Sequence, residues 1–217
     1  MRFVRAFALA LTVSAGMWAE AQELSPNAQL LAAARQGDLG AVTRLLDAGA
    51  AVNSRNRIGD TTLLIALKND YRAVAKLAVA RGADVNLANL SRVTPLMAAS
   101  YSGDVELAKL LLEKGADRSP VDRVGKTAMV YAAGQGRTET VALLLDRGES
   151  PRATYDNELT ALMWAAAYGH SATVKLLIEH GADVKARDNR GKTALAMAIE
   201  GGHEDTAQLL RKAGAAE

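Results

Sequence analysis

Residues 82–117 decide the fold and read GADVNLANLSRVTPLMAASYSGDVELAKLLLEKGAD. The stretch begins and ends on the same Gly-Ala-Asp phrase, 33 residues apart, and this step continues along the chain in both directions. Glycine recurs in this register at Gly49, Gly82, Gly115, Gly148, Gly181 and Gly214. Threonine recurs at the same step at Thr61, Thr94, Thr127, Thr160 and Thr193. A fixed period of this size predicts a stack of similar structural units.

Each repeated unit is predicted to form two short helices. In the clearest copy, Thr94 is a predicted N-cap, because its hydroxyl can accept a hydrogen bond from the first helical turn. Pro95 follows at the first helical position, where its missing N–H costs nothing. A second helix is predicted from Asp104 to Gly115, which suits the left-handed conformation that ends helices. Helices this short are unstable alone, so their stacking predicts a solenoid.

A further glycine ladder separates the two helices of each unit. It keeps the 33-residue step and is broken once, by Asp70. Its members are Gly37, Gly103, Gly136, Gly169 and Gly202. Three ladders in one register indicate that a single architecture extends along nearly the whole chain.

Three motifs resemble those of the ankyrin-repeat family. Residues 94–99, TPLMAA, resemble its T-P-L-H-x-A motif, and residues 82–86 match its G-A-D-V-N phrase. Its Gly-His pair is matched at residues 169–170 and 202–203. The resemblance covers about residues 24–217. It implies an all-α solenoid of helix–turn–helix units joined by β-hairpin loops.

The chain departs from the family's pattern at two positions of the repeat. The histidine of the first motif is replaced in each copy, by Leu64, Met97, Val130, Met163 and Ala196. The hairpin glycine is present in three copies, as Gly59, Gly125 and Gly191. In the other two copies Arg92 and Glu158 replace it, so those two turns are expected to differ in shape.

Residues 22–217 are predicted to form one domain of six units. Their approximate bounds are 24–53, 57–86, 90–119, 123–152, 156–185 and 189–217. The first unit lacks a preceding hairpin, as expected of an N-terminal cap. In the last unit, Arg211 occupies a position that earlier units fill with Leu46, Val79, Leu112, Leu145 and Ile178. A polar residue there suits an end that no further unit covers.

The N-terminus has the pattern of a secretory signal peptide. A basic start with Arg2 and Arg5 precedes an apolar run, and a small-x-small site ends at Ala21. We expect cleavage between Ala21 and Gln22, so that residues 1–21 are a signal peptide and the mature protein is periplasmic. The chain contains no cysteine, which is consistent with an oxidising compartment. The alternative is a retained N-terminal anchor that tethers the scaffold to a membrane.

The composition and motifs do not favour nucleic-acid binding or catalysis. The formal net charge is only +2, without the basic excess typical of nucleic-acid binding. Residues 125–127 and 191–193 read Gly-Lys-Thr, but Pro120 and Ala186 stand where a phosphate-binding loop needs glycine. The histidines His170, His180 and His203 are expected to be structural, since their spacing does not favour convergence. We therefore expect no cofactor, metal or small-molecule substrate, and we retain an enzyme or metal-dependent protein on this scaffold as an alternative.

Two groups of residues are candidate protein contacts. The first lies at the hairpins, where the sequence varies from unit to unit: Arg57, Ile58, Asp60, Leu90, Ser91, Arg92, Arg123, Val124, Lys126, Asp156, Asn157, Asn189 and Arg190. The second lies on the first helices, towards the concave groove that the resemblance implies: Tyr101, Gln135, Trp164 and Tyr168. Mixed apolar and charged tips are typical of a protein-binding strip.

The sequence leaves two interpretations of these residues open. The apolar tip residues could instead pack on one another. Trp164 and Tyr131 share a register position with apolar residues of other units, which favours packing within the stack. Alternatively, Trp164 and Tyr168 form an aromatic anchor of the kind that dominates many interfaces. We expect a monomeric, non-catalytic scaffold that holds or regulates an unidentified partner protein.

Overall fold

The computed structural model describes residues 25–215, so the predicted signal peptide and its cleavage site at Ala21 and Gln22 lie outside the described residues. Residues 25–215 form twelve α-helices in six pairs. The pairs are α1 (Pro26–Gln36) and α2 (Leu39–Asp47), α3 (Thr62–Lys68) and α4 (Arg72–Ala80), α5 (Pro95–Ser102) and α6 (Val105–Glu113), α7 (Ala128–Gly134) and α8 (Thr138–Asp146), α9 (Ala161–Ala167) and α10 (Ser171–Glu179), and α11 (Ala194–Glu200) and α12 (Glu204–Lys212). A short 3-10 turn, Asp156–Glu158, precedes α9.

The six pairs stack in sequence order. The first helix of each pair packs against the first helix of the next pair, and the second helices do the same in a second row. The predicted all-α solenoid is confirmed. Within the described range the connections contain no extended sheet. Two isolated antiparallel β-bridges join Thr154 to Thr160 and Arg187 to Thr193. The predicted β-hairpins are therefore hairpin-shaped turns with little strand pairing.

The threonine ladder starts the first helices of units two to six. Thr94 accepts a hydrogen bond on its side-chain oxygen from the backbone N–H of Met97, at 3.2 Å. The same cap forms at Thr61, Thr127, Thr160 and Thr193. The N-cap prediction is thus confirmed, and each cap is worth roughly 1 kcal/mol of helix stability.

Apolar residues at equivalent positions form one continuous core. On the first helices this position is fully buried in units two to six: Leu63, Leu96, Met129, Leu162 and Leu195. On the second helices the buried position is filled by smaller residues: Val42, Ala75, Ala108, Val141, Val174 and Ala207. Burial of each leucine or methionine contributes roughly 1.5 to 3 kcal/mol, so the stack itself stabilises the short helices.

The hairpins between units share one hydrogen-bonding pattern. In each, a backbone N–H bonds the carbonyl four residues later, at 56–60, 89–93, 122–126, 155–159 and 188–192. In four hairpins the first residue is Asn or Asp, whose side chain also accepts from two amides within the turn. Asn89 Oδ1, for example, accepts from Ser91 at 2.9 Å and from Val93 at 3.0 Å. Tyr155 begins the fourth hairpin along the chain and cannot accept these bonds in the same way.

This pattern explains the two hairpins that lack the glycine. Arg92 has φ 62°, in the same left-handed region as Gly59 with φ 82°, so its turn keeps the common shape. The expectation that this turn differs is wrong, because the Asn89 side chain holds the turn in place. The expectation for Glu158 is confirmed: Asn157 and Glu158 both have φ 60°. There Tyr155 replaces the Asn or Asp acceptor, and the 3-10 turn forms.

Candidate functional site

One face of the stack is built from the exposed sides of the first helices and from the hairpins. We call it the groove face. Two of its hollows lie beside exposed tyrosines, one of about 370 Å³ beside Tyr101 and one of about 410 Å³ beside Tyr168. The first lies between units two and four, and Val93, Met97 and Tyr131 contribute to its apolar lining. A third hollow on this face, of about 550 Å³, lies between units one and two.

The second hollow lies between units five and six. Its lining includes Leu159, Met163, Trp164 and Met197. It is closed at one side by the ion pair of Lys192 with Glu200 (Nζ–Oε2 2.6 Å). An apolar floor with a charged edge is the usual composition of a protein-binding hollow.

A row of aromatic rings runs from the hollow beside Tyr101 to the hollow beside Tyr168. We call Tyr101, Tyr131, Trp164 and Tyr168 the aromatic row. The rings of Tyr101 and Tyr131 meet edge to face, with centroids 5.9 Å apart. Those of Trp164 and Tyr168 are nearly parallel, 6.2 Å apart. The row thus crosses units three to five, with two rings in the last of them.

Lys126 joins the two halves of the row. Its Nζ atom lies 4.6 Å from the ring centre of Trp164 and 5.6 Å from that of Tyr131. A cation over an aromatic face is attracted by the ring quadrupole, by roughly 0.5 to 2 kcal/mol. The lysine predicted as a hairpin contact therefore lies over the groove, between units four and five.

Burial divides the aromatic row into supporting and exposed rings. Tyr131 is partly buried, and its hydroxyl donates to Asp122 Oδ2 at 2.5 Å. Burial, and then this hydrogen bond, raise the pKa of Tyr131, so its phenol stays protonated. Trp164 is also partly buried against the core. Tyr101 and Tyr168, by contrast, are 52% and 54% exposed.

A family model described as ankyrin repeats (3 copies) matches residues 30–122, 73–155 and 130–216. The chain belongs to the ankyrin-repeat family. Ankyrin repeats are generally protein-binding scaffolds. A search of curated proteins found no match. No helix of residues 25–215 is long and apolar enough to cross a membrane.

The hairpins of these ankyrin repeats present some apolar tips and bury others. Ile58, Leu90 and Val124 are each more than half exposed, which does not favour the interpretation that they pack on one another. Val93 and Leu159, two or three positions further along their turns, pack against the core instead. The exposed tips therefore lie outside the core, next to charged neighbours.

The prediction that Asp60 is a contact for a partner protein needs correction. Its side chain is buried rather than displayed at a tip. Its carboxylate accepts from Lys68 Nζ at 2.8 Å and from Asn89 Nδ2 at 2.8 Å. It therefore joins one hairpin to the next and is not available to a partner.

The remaining predicted contacts fall into two groups. Three bond to neighbouring residues: Asn189 Nδ2 donates to Asn157 Oδ1 at 3.1 Å, and Arg190 donates to buried Asp188 at 2.8 Å. Burial acts to raise the pKa of Asp188, but hydrogen bonds from Arg190 and from backbone amides hold it below its usual value. Exposed side chains remain at Arg57, Ser91, Arg92, Arg123 and Asp156, and Gln135 is partly buried at the end of α7.

Two of the three histidines bond the preceding repeat, and the third bonds within its own helix. His170 Nε2 lies 3.0 Å from the carbonyl oxygen of Gly134, in the preceding repeat. His203 Nε2 makes the equivalent contact with Ala167, at 3.2 Å, and His180 Nδ1 lies 2.8 Å from the carbonyl oxygen of Leu176. Within residues 25–215 no group of three or more His, Asp or Glu side chains is placed to hold a metal ion.

Sequence reasoning missed the part that Gly134 plays in the groove. It occupies the first-helix position of Tyr101 and Ala167 in the neighbouring repeats. A Cβ atom added to it would lie 3.6 Å from the Trp164 ring and 3.9 Å from that of Tyr168. Both distances are ordinary van der Waals contacts, so the two rings lie against this position and a small residue fits beside them. The available signal in the sequence was the glycine itself, which replaces a larger residue in the repeat register near two aromatic residues.

Proposed function

We propose that this ankyrin-repeat protein is a non-catalytic scaffold that holds or regulates a partner protein through its groove face. The observation that supports this most directly is the pair of exposed tyrosines, Tyr101 and Tyr168, each beside a hollow. Tyrosine and tryptophan are enriched among the residues that dominate binding energy at interfaces. The groove face offers such residues with empty, partly apolar space next to them.

The aromatic row is also held in place before any partner binds. Tyr168 stacks on Trp164, and Tyr101 meets the edge of Tyr131, which is fixed by its bond to Asp122. Ordering a free side chain at an interface costs about 0.5 to 1.5 kcal/mol. Rings that are already fixed avoid much of that cost, so the row is suited to act as an anchor.

The test is a double substitution, Tyr101→Ala with Tyr168→Ala. Protein-binding hot spots cost at least about 2 kcal/mol when truncated, so we expect capture of the partner to fall by roughly thirtyfold or more. The melting temperature should change little, because both side chains are half exposed. The measurement is a pull-down from the periplasmic fraction with mass spectrometry, followed by titration of the partner found.

A matched control is Leu39→Ala on α2, an exposed apolar side chain on the second-helix row. It should retain the partner. If the tyrosine double variant retains every partner that the native protein captures, the groove assignment is wrong.

We further propose that the scaffold is exported to the periplasm with residues 1–21 as a cleaved signal peptide. The basic start, apolar run and small-x-small site support this. N-terminal sequencing of the protein from its native host tests it. A start at Gln22 in the periplasmic fraction supports export, whereas an intact N-terminus in the membrane fraction supports the tethered scaffold instead.

A further inference from the structure

Five cationic side chains on and beside the groove face have no acidic partner. They belong to units two to four, with Arg57, Arg92, Arg123 and Lys126 on hairpins and Arg137 beside the first hollow. Among residues 25–215, no carboxylate lies within ion-pair distance of any of them. Three other cations of this face, Lys68, Arg190 and Lys192, are each paired with a carboxylate.

The acidic side chains in the same half of the groove are mostly withdrawn from it. Asp60 is buried between Lys68 and Asn89, and Asp122 is buried against the Tyr131 hydroxyl. Asp70 is the exposed carboxylate that lines the first hollow. Units two to four therefore present a clear excess of positive charge around an apolar hollow.

The sign of the charge changes at the next hairpin. Asp156 stands in unit five where Arg57 and Arg123 stand in units two and four. Glu158 likewise occupies the position of Arg92. Both acidic side chains are exposed and have no cation within ion-pair distance in the described part of the chain. The groove face thus has a cationic half and a separate acidic tip, which would fix the direction and register of a bound segment.

We propose that the partner contributes an extended acidic segment to units two to four, with one apolar or aromatic side chain seated in the hollow beside Tyr101. This rests on the proposed function and names the chemistry of the partner. Neighbouring helices pack about 8 to 10 Å apart, and an extended chain advances about 3.3 Å per residue. Carboxylates spaced about three residues apart in the partner would therefore meet the arginines of successive hairpins.

A protein segment fits these features better than other anions. The hollow of about 370 Å³ is lined by Val93, Met97 and Tyr101 as well as by charges, and so selects an apolar group beside the acids. The acidic tip at Asp156 and Glu158 would repel a uniformly anionic polymer or membrane that extended beyond unit four. A peptide can place neutral residues there.

The experiment selects binders for the native mature chain from a displayed library of random peptides. We expect the selected peptides to be enriched in Asp and Glu at a spacing of about three residues, with one aromatic or aliphatic residue. Their dissociation constants should rise with salt concentration, because the cationic tips are exposed to solvent.

The key variant reverses three charges: Arg57→Glu, Arg92→Glu and Arg123→Glu. At low salt it should weaken the selected peptides by at least about tenfold, since each exposed pair is worth a fraction of a kcal/mol. It should fold normally, because Asp156 and Glu158 already occupy the equivalent positions. The control makes the same charge change outside the groove, with Arg44→Glu, Lys109→Glu and Lys185→Glu, and should keep the native affinity.

The outcomes separate this inference from the proposed function. If the selected peptides have no acidic excess, or bind the charge-reversed variant as well as the native chain, the inference is overturned. The scaffold proposal then still stands if Tyr101→Ala with Tyr168→Ala abolishes their binding. If no peptide is selected, or if anionic phospholipid vesicles or a short DNA duplex bind in place of peptides, the inference is also overturned.

Discussion

At the scale of single residues, Glu149 is the side chain that fits the stack least well. Four other repeats have a buried alanine at its position: Ala50, Ala83, Ala116 and Ala182. Glu149 is partly buried there, beside Arg118 and Tyr155. Burial raises the pKa of the Glu149 carboxyl, and the charge of Arg118 offsets part of that rise. Burial and the charge of Glu149 in turn raise the pKa of Tyr155.

The raised pKa of Glu149 predicts that this side chain lowers the stability of the folded chain at neutral pH. Since the folded-state pKa of Glu149 lies above its usual value of 4.5, ionisation is harder in the folded chain than in the unfolded chain. The contribution of Glu149 to the free energy of unfolding is therefore lowest at pH values above its folded-state pKa. It increases as the pH falls towards 4.5. Glu149→Gln should raise the unfolding free energy at pH 7, by less than about 1 kcal/mol because solvent screens a half-exposed group.

Thermal melts of the native chain and the glutamine variant between neutral and acidic pH provide the measurement. The difference in melting temperature should disappear below pH 4.5, where both side chains are neutral in either state. A glutamine variant that is less stable at pH 7 than the native chain would mean that attraction to Arg118 outweighs burial.

At the scale of elements, four of the turns between paired helices in the described residues are each covered by one residue of the following repeat. The residue before the second helix packs over the ladder glycine of the preceding unit. The pairs are Tyr71 over Gly37, Arg137 over Gly103, His170 over Gly136 and His203 over Gly169. A Cβ atom added to Gly136, for example, would lie 2.6 Å from His170 Nδ1. Glycine is thus required there by sterics as well as by its positive φ.

The replacement of the ladder glycine by Asp70 is also explained by the residue that the next repeat places over the turn. Asp70 occupies the glycine position with φ 57°, and the residue before the second helix of the next unit is Asp104. Asp104 does not carry a ring or a long chain, and its carboxylate caps its own helix by accepting from Leu107 N–H at 3.0 Å. A side chain at position 70 therefore does not face a bulky group from the next unit. Aspartate is among the residues that tolerate the left-handed region.

A matched pair of substitutions tests this coupling between repeats. Gly136 and Gly202 both have positive φ, but nothing lies within 4 Å of a Cβ atom added to Gly202. Gly202→Ala should cost only backbone strain, about 1 to 2 kcal/mol. Gly136→Ala should cost about 1 kcal/mol more, because the His170 ring must leave its bond to Gly134.

Chemical denaturation of both variants measures the difference. If Gly136→Ala and Gly202→Ala are equally destabilising, the ring does not contribute to the requirement for glycine, and positive φ alone explains the ladder.

At the scale of the whole molecule, the stack depends on what covers its ends. Arg211 in α12 is exposed and bonds Glu204 at 3.1 Å. Of the equivalent residues inside the stack, Val79 and Leu145 are buried, and Leu46, Leu112 and Ile178 are partly buried against the core. A repeat solenoid is stabilised mainly by contacts between adjacent units, so each end needs a polar outer surface.

Removal of residues 189–217 tests the importance of the C-terminal unit. It would uncover the apolar side of α9 and α10, including Leu162 and Leu177, which are fully buried in the complete stack. We expect the melting temperature to fall by about 10 °C, corresponding to a loss of roughly 3 kcal/mol in a chain of this size. Differential scanning calorimetry measures the fall.

The control for that truncation is Arg211→Ala, which alters the end surface without removing a helix. It should shift the melting temperature little, because exposed ion pairs contribute at most about 1 kcal/mol. Equal melting temperatures for the truncated and complete chains would contradict the claim that the last unit protects the stack.

The candidate site could be predicted only in part. The repeat register placed Tyr101, Trp164 and Tyr168 on the first helices, and the structure brings Trp164 and Tyr168 into contact. The register did not indicate that Lys126 lies over Trp164, or that the two rings lie against Gly134. It also placed Asp60 at a surface where the structure buries it. Each of these outcomes depends on a neighbouring repeat.

The sequence by itself determined the period, the helix pairs and their caps, because these follow from residues within one turn of each other. Thr94 bonds an amide three residues away, and no other repeat is needed for that bond. Only the tertiary structure decided which side chains meet between repeats. Asn89 reaches Asp60 across 29 positions and His170 reaches Gly134 across 36, because stacking brings together residues that the local sequence leaves apart. The groove, its hollows and its unbalanced charge all depend on these contacts between repeats.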